Sequence, residues 1–168
     1  MRIRAVALND ADQITDIYNH YIRDTVITFE ETPITNAEIA ARIQKVTDAA
    51  LPWLVAEHNG EILGYAYAAP YHVRSAFRFT VEPSVYLAPN ATGRGIGKRL
   101  YQALIEQLAQ TTIKNIIGVI ALPNVPSVAL HERLGFRKVG EFADVGFKFG
   151  QWISVGYWQY SFPEEKTA

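Results

Sequence analysis

The segment Gly93-Arg94-Gly95-Ile96-Gly97-Lys98-Arg99 sets three glycines among three cations where a strand-like run gives way to a helical one. Residues without side chains let backbone N–H groups approach an anion, and the start of the following helix adds the positive end of its dipole. A phosphate-bearing ligand suits this turn; a tight strand-to-helix connection is the plainer use of the same residues. Spacing excludes two phosphate motifs. A Walker loop needs glycine where this chain has Thr92, and Ser or Thr where it has Arg99. The dinucleotide fingerprint needs its third glycine where the chain has Lys98, or Leu100 if counted from Gly95.

Other chemistries find less support. His20, His58 and His72 show no paired metal-ligand spacing, so no metal is expected. The chain has no cysteine, hence no disulfide, no thiol nucleophile and no Cys-based metal site, a composition that fits a reducing cytoplasm. A formal net charge of -1 over 168 residues argues against nucleic acid as a partner. No apolar run approaches the length of a membrane span, and Met1 leads straight into Arg-Ile-Arg-Ala-Val, so neither secretion nor a membrane partner is expected. With 49% hydrophobic and 20% charged residues, the length suits one domain over 1–168.

Positioning falls to an alternating set of elements. Residues 2–7 alternate like a strand; Asn9 or Asp10 then caps a helix with apolar positions Ile14, Ile17, Tyr18, Tyr21 and Ile22. A loop over 24–34 follows, and Thr35 with Glu38 makes a capping-box pair before Ile39, Ile43 and Val46. Strands Trp53 to Glu57 and Glu61 to Ala69 flank His58-Asn59-Gly60, a hairpin signal. After a loop from Pro70 to about Ala76, Arg78 to Leu87 reads as a strand in which Pro83 implies a bulge or a broken ladder. Ile96, Leu100, Leu104, Ile105 and Leu108 give a long helix, and Ile116 to Leu122 a buried strand. Ser127 is expected to cap a helix through Leu134 that stops at Gly135, and strands Phe136 to Glu141 and Trp152 to Phe162 close the chain. The order β-α-α-β-β-β-α-β-α-β-β carries no repeat or linker.

Together with Asn124, Ser127 and the string Leu130-His131-Glu132-Arg133-Leu134-Gly135-Phe136, the glycine loop resembles the acetyl-CoA signature of the GNAT N-acetyltransferase superfamily. Thr92 departs from the Gln or Arg that opens that signature. Over nearly the whole chain the sequence is similar to the phosphinothricin and methionine sulfoximine acetyltransferase branch, through Thr80-Val81-Glu82-Pro83-Ser84-Val85-Tyr86-Leu87, Leu122-Pro123-Asn124-Val125-Pro126-Ser127 and Gly146-Phe147-Lys148-Phe149-Gly150-Gln151-Trp152.

The resemblance implies an α/β GNAT fold, a mixed and mostly antiparallel sheet splayed between strands 4 and 5 and flanked by helices. It implies acetyl-CoA as co-substrate, with Val85, Tyr86 and Leu87 along the pantetheine arm. Gly93, Arg94, Gly95, Ile96, Gly97, Lys98 and Arg99 would lie around the pyrophosphate, and Asn124 and Ser127 near the thiol end. Glu82 falls where the branch carries its base and His131 where the superfamily places the residue that protonates the departing sulfur. Substrate anchoring is the alternative for Glu82, and helix-face packing for His131. His72, Arg74 and Arg78 precede the Glu82 strand where the branch meets its acceptor; guanidinium groups hold carboxylate or phosphinate bidentately, though solvated charge is an equal reading. Phe29 and Lys148 are further acceptor candidates. The aromatic run from Phe147 to Phe162 suits core packing, and its excess a homodimer interface. The activity implied is N-acetylation of a small amino acid or analogue; a peptide N-terminus, a polyamine acceptor and a non-catalytic acetyl-CoA sensor are the alternatives.

Overall fold

In the computed structural model, which describes residues 1–163, alternation and helical periodicity become seven strands and four main helices. These are β1 (Arg2–Ala5), α1 (Ala11–Asp24), α2 (Asn36–Asp48), β2 (Trp53–His58), β3 (Glu61–Pro70), β4 (Thr80–Leu87), α3 (Ile96–Ala109), β5 (Asn115–Leu122), α4 (Val125–Arg133), β6 (Arg137–Lys148) and β7 (Gln151–Ser161). Hydrogen bonding follows the order β1-β2-β3-β4-β5-β7-β6, with β4 and β5 parallel. Residues 164–168 of the expected domain lie outside the described residues.

The chain divides into two compact units. One comprises Met1–His20, Pro33–Ala69 and Pro83–Thr111. In it β2 pairs antiparallel with both β1 and β3, and the turn between β2 and β3 has Asn59 at φ 52° and Gly60 at φ 82°, the left-handed pair a two-residue hairpin demands. Both α2 and α3 pack on β2. The apolar stripe Ile96, Leu100, Leu104 and Leu108 of α3 is buried, as are Ile39, Ile43 and Val46 of α2. Thr35 accepts from the Glu38 N–H, but the Glu38 carboxylate turns to Arg42 Nε at 3.1 Å, so only half of the capping box forms.

The other unit comprises Tyr21–Thr32, Pro70–Glu82 and the described residues from Thr112 onward. Here β5 pairs antiparallel with β7 from Asn115–Ser161 to Leu122–Ser154, and β7 pairs antiparallel with β6. Ile116, Ile120, Phe136, Ile153, Val155 and Trp158 form the core, with α4 against β5. The parallel β4–β5 ladder has two pairs, Thr80 with Asn115 and Val81 with Ile116. It stops ahead of Pro83, which has no N–H to extend it.

Three boundaries differ from the sequence reading. Arg78 closes a 3-10 turn, donating its N–H to the Ser75 carbonyl at 3.1 Å, so β4 starts at Thr80. Asn124, not Ser127, caps α4, and Pro126 in the first turn sacrifices an N–H that has no helical partner there. The strand expected over Phe136 to Glu141 runs to Lys148, because register shifts within β6 hide the alternation.

Candidate active site

In the first unit, α3 begins at Gly95, which stands at its N-cap with φ 73° and no side-chain cap. Gly93 is also at φ 73°, and at neither residue would a Cβ meet any atom within 4 Å. The sequence thus supplies glycine where left-handed backbone is needed, and leaves the leading N–H groups of a 14-residue helix without a capping side chain. Arg94, Lys98 and Arg99 are exposed around this turn, while Ile96 is buried and anchors it. Positive dipole, uncapped donors and exposed cations fit the pyrophosphate of acetyl-CoA. Thr92, the departure from the signature, donates its hydroxyl to the Pro89 carbonyl at 3.2 Å and so braces the entry to the turn.

Upstream, Val85, Tyr86 and Leu87 are half-buried at the end of β4. The Tyr86 ring meets Tyr18 edge-on at 5.3 Å and Tyr65 at 5.6 Å, which fixes its side chain in the aromatic packing of this unit.

In the second unit, Asn124, Ser127 and His131 form one hydrogen-bonded series. Asn124 Oδ1 accepts from the Ser127 N–H at 3.2 Å, and the Ser127 carbonyl stands 2.8 Å from His131 Nδ1. It is the main chain of Ser127 that joins them. Because a carbonyl only accepts, Nδ1 carries the proton, and in the neutral ring Nε2 holds the lone pair. His131 is buried against Phe136, and burial holds its pKa below the ordinary value, with the Ser127 hydrogen bond opposing. Its Nε2 and Cδ2 lie over Gly118 of β5, where a Cβ would stand 2.7 Å from Nε2.

Glu82 follows the last β4–β5 pair, and burial pushes its pKa above the ordinary carboxylate value. Gly118 lies two residues beyond Ile116 and Glu82 one residue beyond Val81, so both stand just past the last pair of the ladder. The sequence reading missed two neighbours. Tyr157 on β7 lies near enough to Tyr71 and Glu82 for their charges to add to burial in raising its phenol pKa. Tyr71, whose N–H donates to Thr80 at 3.2 Å, directly follows Pro70, and Tyr157 was hidden among alternating core aromatics.

The remaining acceptor candidates separate into two groups. His72, Arg74 and Arg78 are exposed around the 3-10 turn Ser75–Phe77. His72 Nδ1 accepts from the Arg74 N–H at 3.1 Å, and the Arg78 guanidinium sits 4.4 Å above the Phe79 ring while donating to Ser75. Phe29 and Lys148 instead meet the inner face of β6, where Lys148 Nζ donates to the Thr28 carbonyl at 2.7 Å. No group of three metal-ligating side chains is found among the described residues, and no helix there is long and apolar enough to cross a membrane.

The profile of the acetyltransferase (GNAT) domain matches residues 3–155. The chain is 45% identical over 154 residues to phosphinothricin N-acetyltransferase of Alcaligenes faecalis, covering 91% of this chain and 78% of that protein. It is 35% identical over 167 residues to the L-methionine sulfoximine/L-methionine sulfone acetyltransferase of Pseudomonas aeruginosa, covering 99% and 97%. A GNAT superfamily phosphinothricin acetyltransferase from Sinorhizobium meliloti, solved in complex with AcCoA, superposes with a TM-score of 0.94 at 38% identity, covering 97% of this chain and 89% of that one. An uncapped glycine turn ahead of α3, a parallel β4–β5 ladder that ends after two pairs and similarity along nearly the full chain agree: the chain belongs to the GNAT acetyltransferase family.

Proposed function

We propose that this protein transfers the acetyl group of acetyl-CoA to the α-amino group of a small free amino acid or analogue, in the class of phosphinothricin, methionine sulfoximine and methionine sulfone. The observation that carries the reading is Glu82, a carboxylate whose pKa is raised by burial just where the β4–β5 ladder ends. Acyl transfer requires a neutral amine, and an α-amino group has a pKa of about 8, so it is mostly protonated at neutral pH. A carboxylate with a raised pKa accepts that proton, directly or through one water, with a smaller mismatch than an ordinary one.

When bound, acetyl-CoA supplies an activated acyl carbon and a thiol leaving group. The N–C bond forms as the C–S bond breaks, in a ternary complex. His131, held by Ser127 with its lone pair at Nε2, serves as the proton relay: it accepts there the proton that the attacking nitrogen sheds as the N–C bond forms, and delivers it to the leaving sulfur. Asn124 and Ser127 hold His131 and the thiol end of the cofactor. Gly93 through Arg99 hold the pyrophosphate, and the main chain of Val85 to Leu87 the pantetheine arm. His72, Arg74 and Arg78 take the anionic end of the acceptor, and Phe29 packs against its side chain.

Residues 1–168 act as one transferase domain in this proposal, which a single cooperative melting transition supports and two separate transitions refute. Exposed Phe142, Phe147, Phe149 and Trp152 on the β6–β7 hairpin support a homodimer, measurable by sedimentation, and the cysteine-free composition suits the cytoplasm. Mass spectrometry of the product tests the reaction itself. A mass gain of one acetyl group on the α-nitrogen of methionine sulfone or phosphinothricin supports it; acetylation of a polyamine or peptide alone refutes the acceptor class.

A further inference from the structure

The C-terminal end of β6 inverts the usual polarity of a strand. Phe147 and Phe149 are 54% and 58% exposed, whereas Lys148 between them is 2% exposed and Gly146 is also buried. Alternation puts residues 146 and 148 on one face, and a slip by one residue would exchange lysine for phenylalanine. The register is held at both ends. Between Phe142–Val155 and Gly146–Ile153, β6 advances four residues while β7 advances two, with Asp144 at φ 52° donating its N–H to Ser154 Oγ at 3.2 Å. Beyond Lys148, the turn to Gln151 places Phe149 at φ 52° and Gly150 at φ 73°. A bulky residue at positive φ is costly and persists only where its surroundings demand it.

An inward-facing ammonium is also costly unless it is paired. Lys148 Nζ donates to the Thr28 carbonyl at 2.7 Å and lies 5.1 Å from the Phe149 ring centre. Burial lowers its pKa, opposed by the negative charges of Glu31 and Glu30. Thr28 is 120 residues away in sequence, in the connection between α1 and α2. Its neighbour Phe29 rests on Gly146: a Cβ there would stand 2.5 Å from Phe29 Cζ. Two successive residues of the connection are thus held by two same-face residues of β6, Thr28 by Lys148 and Phe29 by Gly146.

We infer that Lys148 is a positioning residue that fixes the α1–α2 connection on β6, and through it sets where the Phe29 ring stands toward the acceptor. The acceptor part rests on the function proposed above; the fixing of the connection does not. This role works through the backbone of the connection, with one of the three ammonium donors of Lys148 engaged by the Thr28 carbonyl.

The test combines hydrogen exchange with kinetics on the full chain. Lys148→Met keeps the length of the side chain and removes the donor. It should speed amide exchange over residues 26–31 about tenfold, and raise the acceptor KM about tenfold with little change in the acetyl-CoA KM. Gly146→Ala displaces Phe29 with the lysine intact, and should raise the acceptor KM in the same way. Adding Lys148→Met to Phe29→Ala should raise the acceptor KM no further, because the lysine acts through that ring. Unchanged exchange in Lys148→Met overturns the inference, as does a loss confined to kcat or an additive effect in the double variant. If Lys148→Met does not fold, Gly146→Ala decides: an unchanged acceptor KM there overturns it. Absence of amino-acid turnover in the parent would sink the proposed function, while the exchange comparison would still decide whether Lys148 fixes the connection.

Discussion

The imidazole of His131 rests on the bare backbone of Gly118: a Cβ at that glycine would stand 2.7 Å from Nε2 and 2.8 Å from Cδ2. Glycine on β5 therefore makes the seat of the ring, while the Ser127 carbonyl fixes its tautomer. Gly118→Ala forces the imidazole to move without removing any functional group. It should lower kcat about 100-fold, the order of loss that a misplacement of about 1 Å produces, with acetyl-CoA affinity by calorimetry nearly unchanged. An active variant would mean that the ring position is irrelevant to turnover.

Glu82 and His131 pull stability in opposite directions with pH. The pKa of Glu82 is raised by folding, so between its ordinary and raised values the folded state binds the more protons and stability falls as pH climbs. Glu82→Gln removes that penalty, and its thermal stability relative to the parent should improve as pH rises through the window. The same variant should lose turnover by a factor on the order of 100 or more while retaining acetyl-CoA binding. Loss of cofactor binding itself would contradict the role of base.

The pKa of His131 is lowered by folding, so the unfolded chain binds the more protons between the lowered value and the ordinary one. The contribution is intact above the ordinary histidine range and is lost as pH falls through the window. His131→Gln should flatten the acid side of a melting-temperature profile. A profile as steep as the parent's would mean that the ring is not buried in its neutral form.

Asn124 has a structural duty beside its proposed cofactor contact, because its side chain caps α4 through the Ser127 N–H. Asn124→Ala should cost about 1 kcal/mol, seen as a fall in melting temperature of about 2–4 °C. Asn124→Asp keeps an acceptor at the same place and should recover that stability. Failure to recover it would put the cap in question.

Gly95 is left-handed at the head of α3. Gly95→Ala meets no atom in the space it would enter, so its cost is backbone strain, about 1–2 kcal/mol. If the turn cradles pyrophosphate, the variant should also weaken acetyl-CoA binding well beyond its effect on dethio analogues lacking phosphate. Equal weakening of both would point away from a phosphate cradle.

Much of this was legible in the sequence where a residue type has one physical use. Asn59-Gly60 announced its turn, the α3 stripe its helix, Pro83 an interruption of the ladder, and the glycine loop its strand-to-helix turn. The parts that escaped depend on distant partners. The α4 cap passed to Asn124 because Pro126 shifts the helix start, and β6 outran its expected end because register shifts break its alternation. Nothing local to Lys148 says that its ammonium turns inward to Thr28, or that Gly118 and Gly146 are small to admit His131 and Phe29. Those relations need the tertiary fold.

Thiol release from acetyl-CoA across a panel of free amino acids and analogues, with a polyamine and a short peptide as controls, tests the central claim most directly. Turnover of methionine sulfone, methionine sulfoximine or phosphinothricin, with the controls silent, is the predicted result. Silence of every free amino acid and analogue while acetyl-CoA still binds would contradict it.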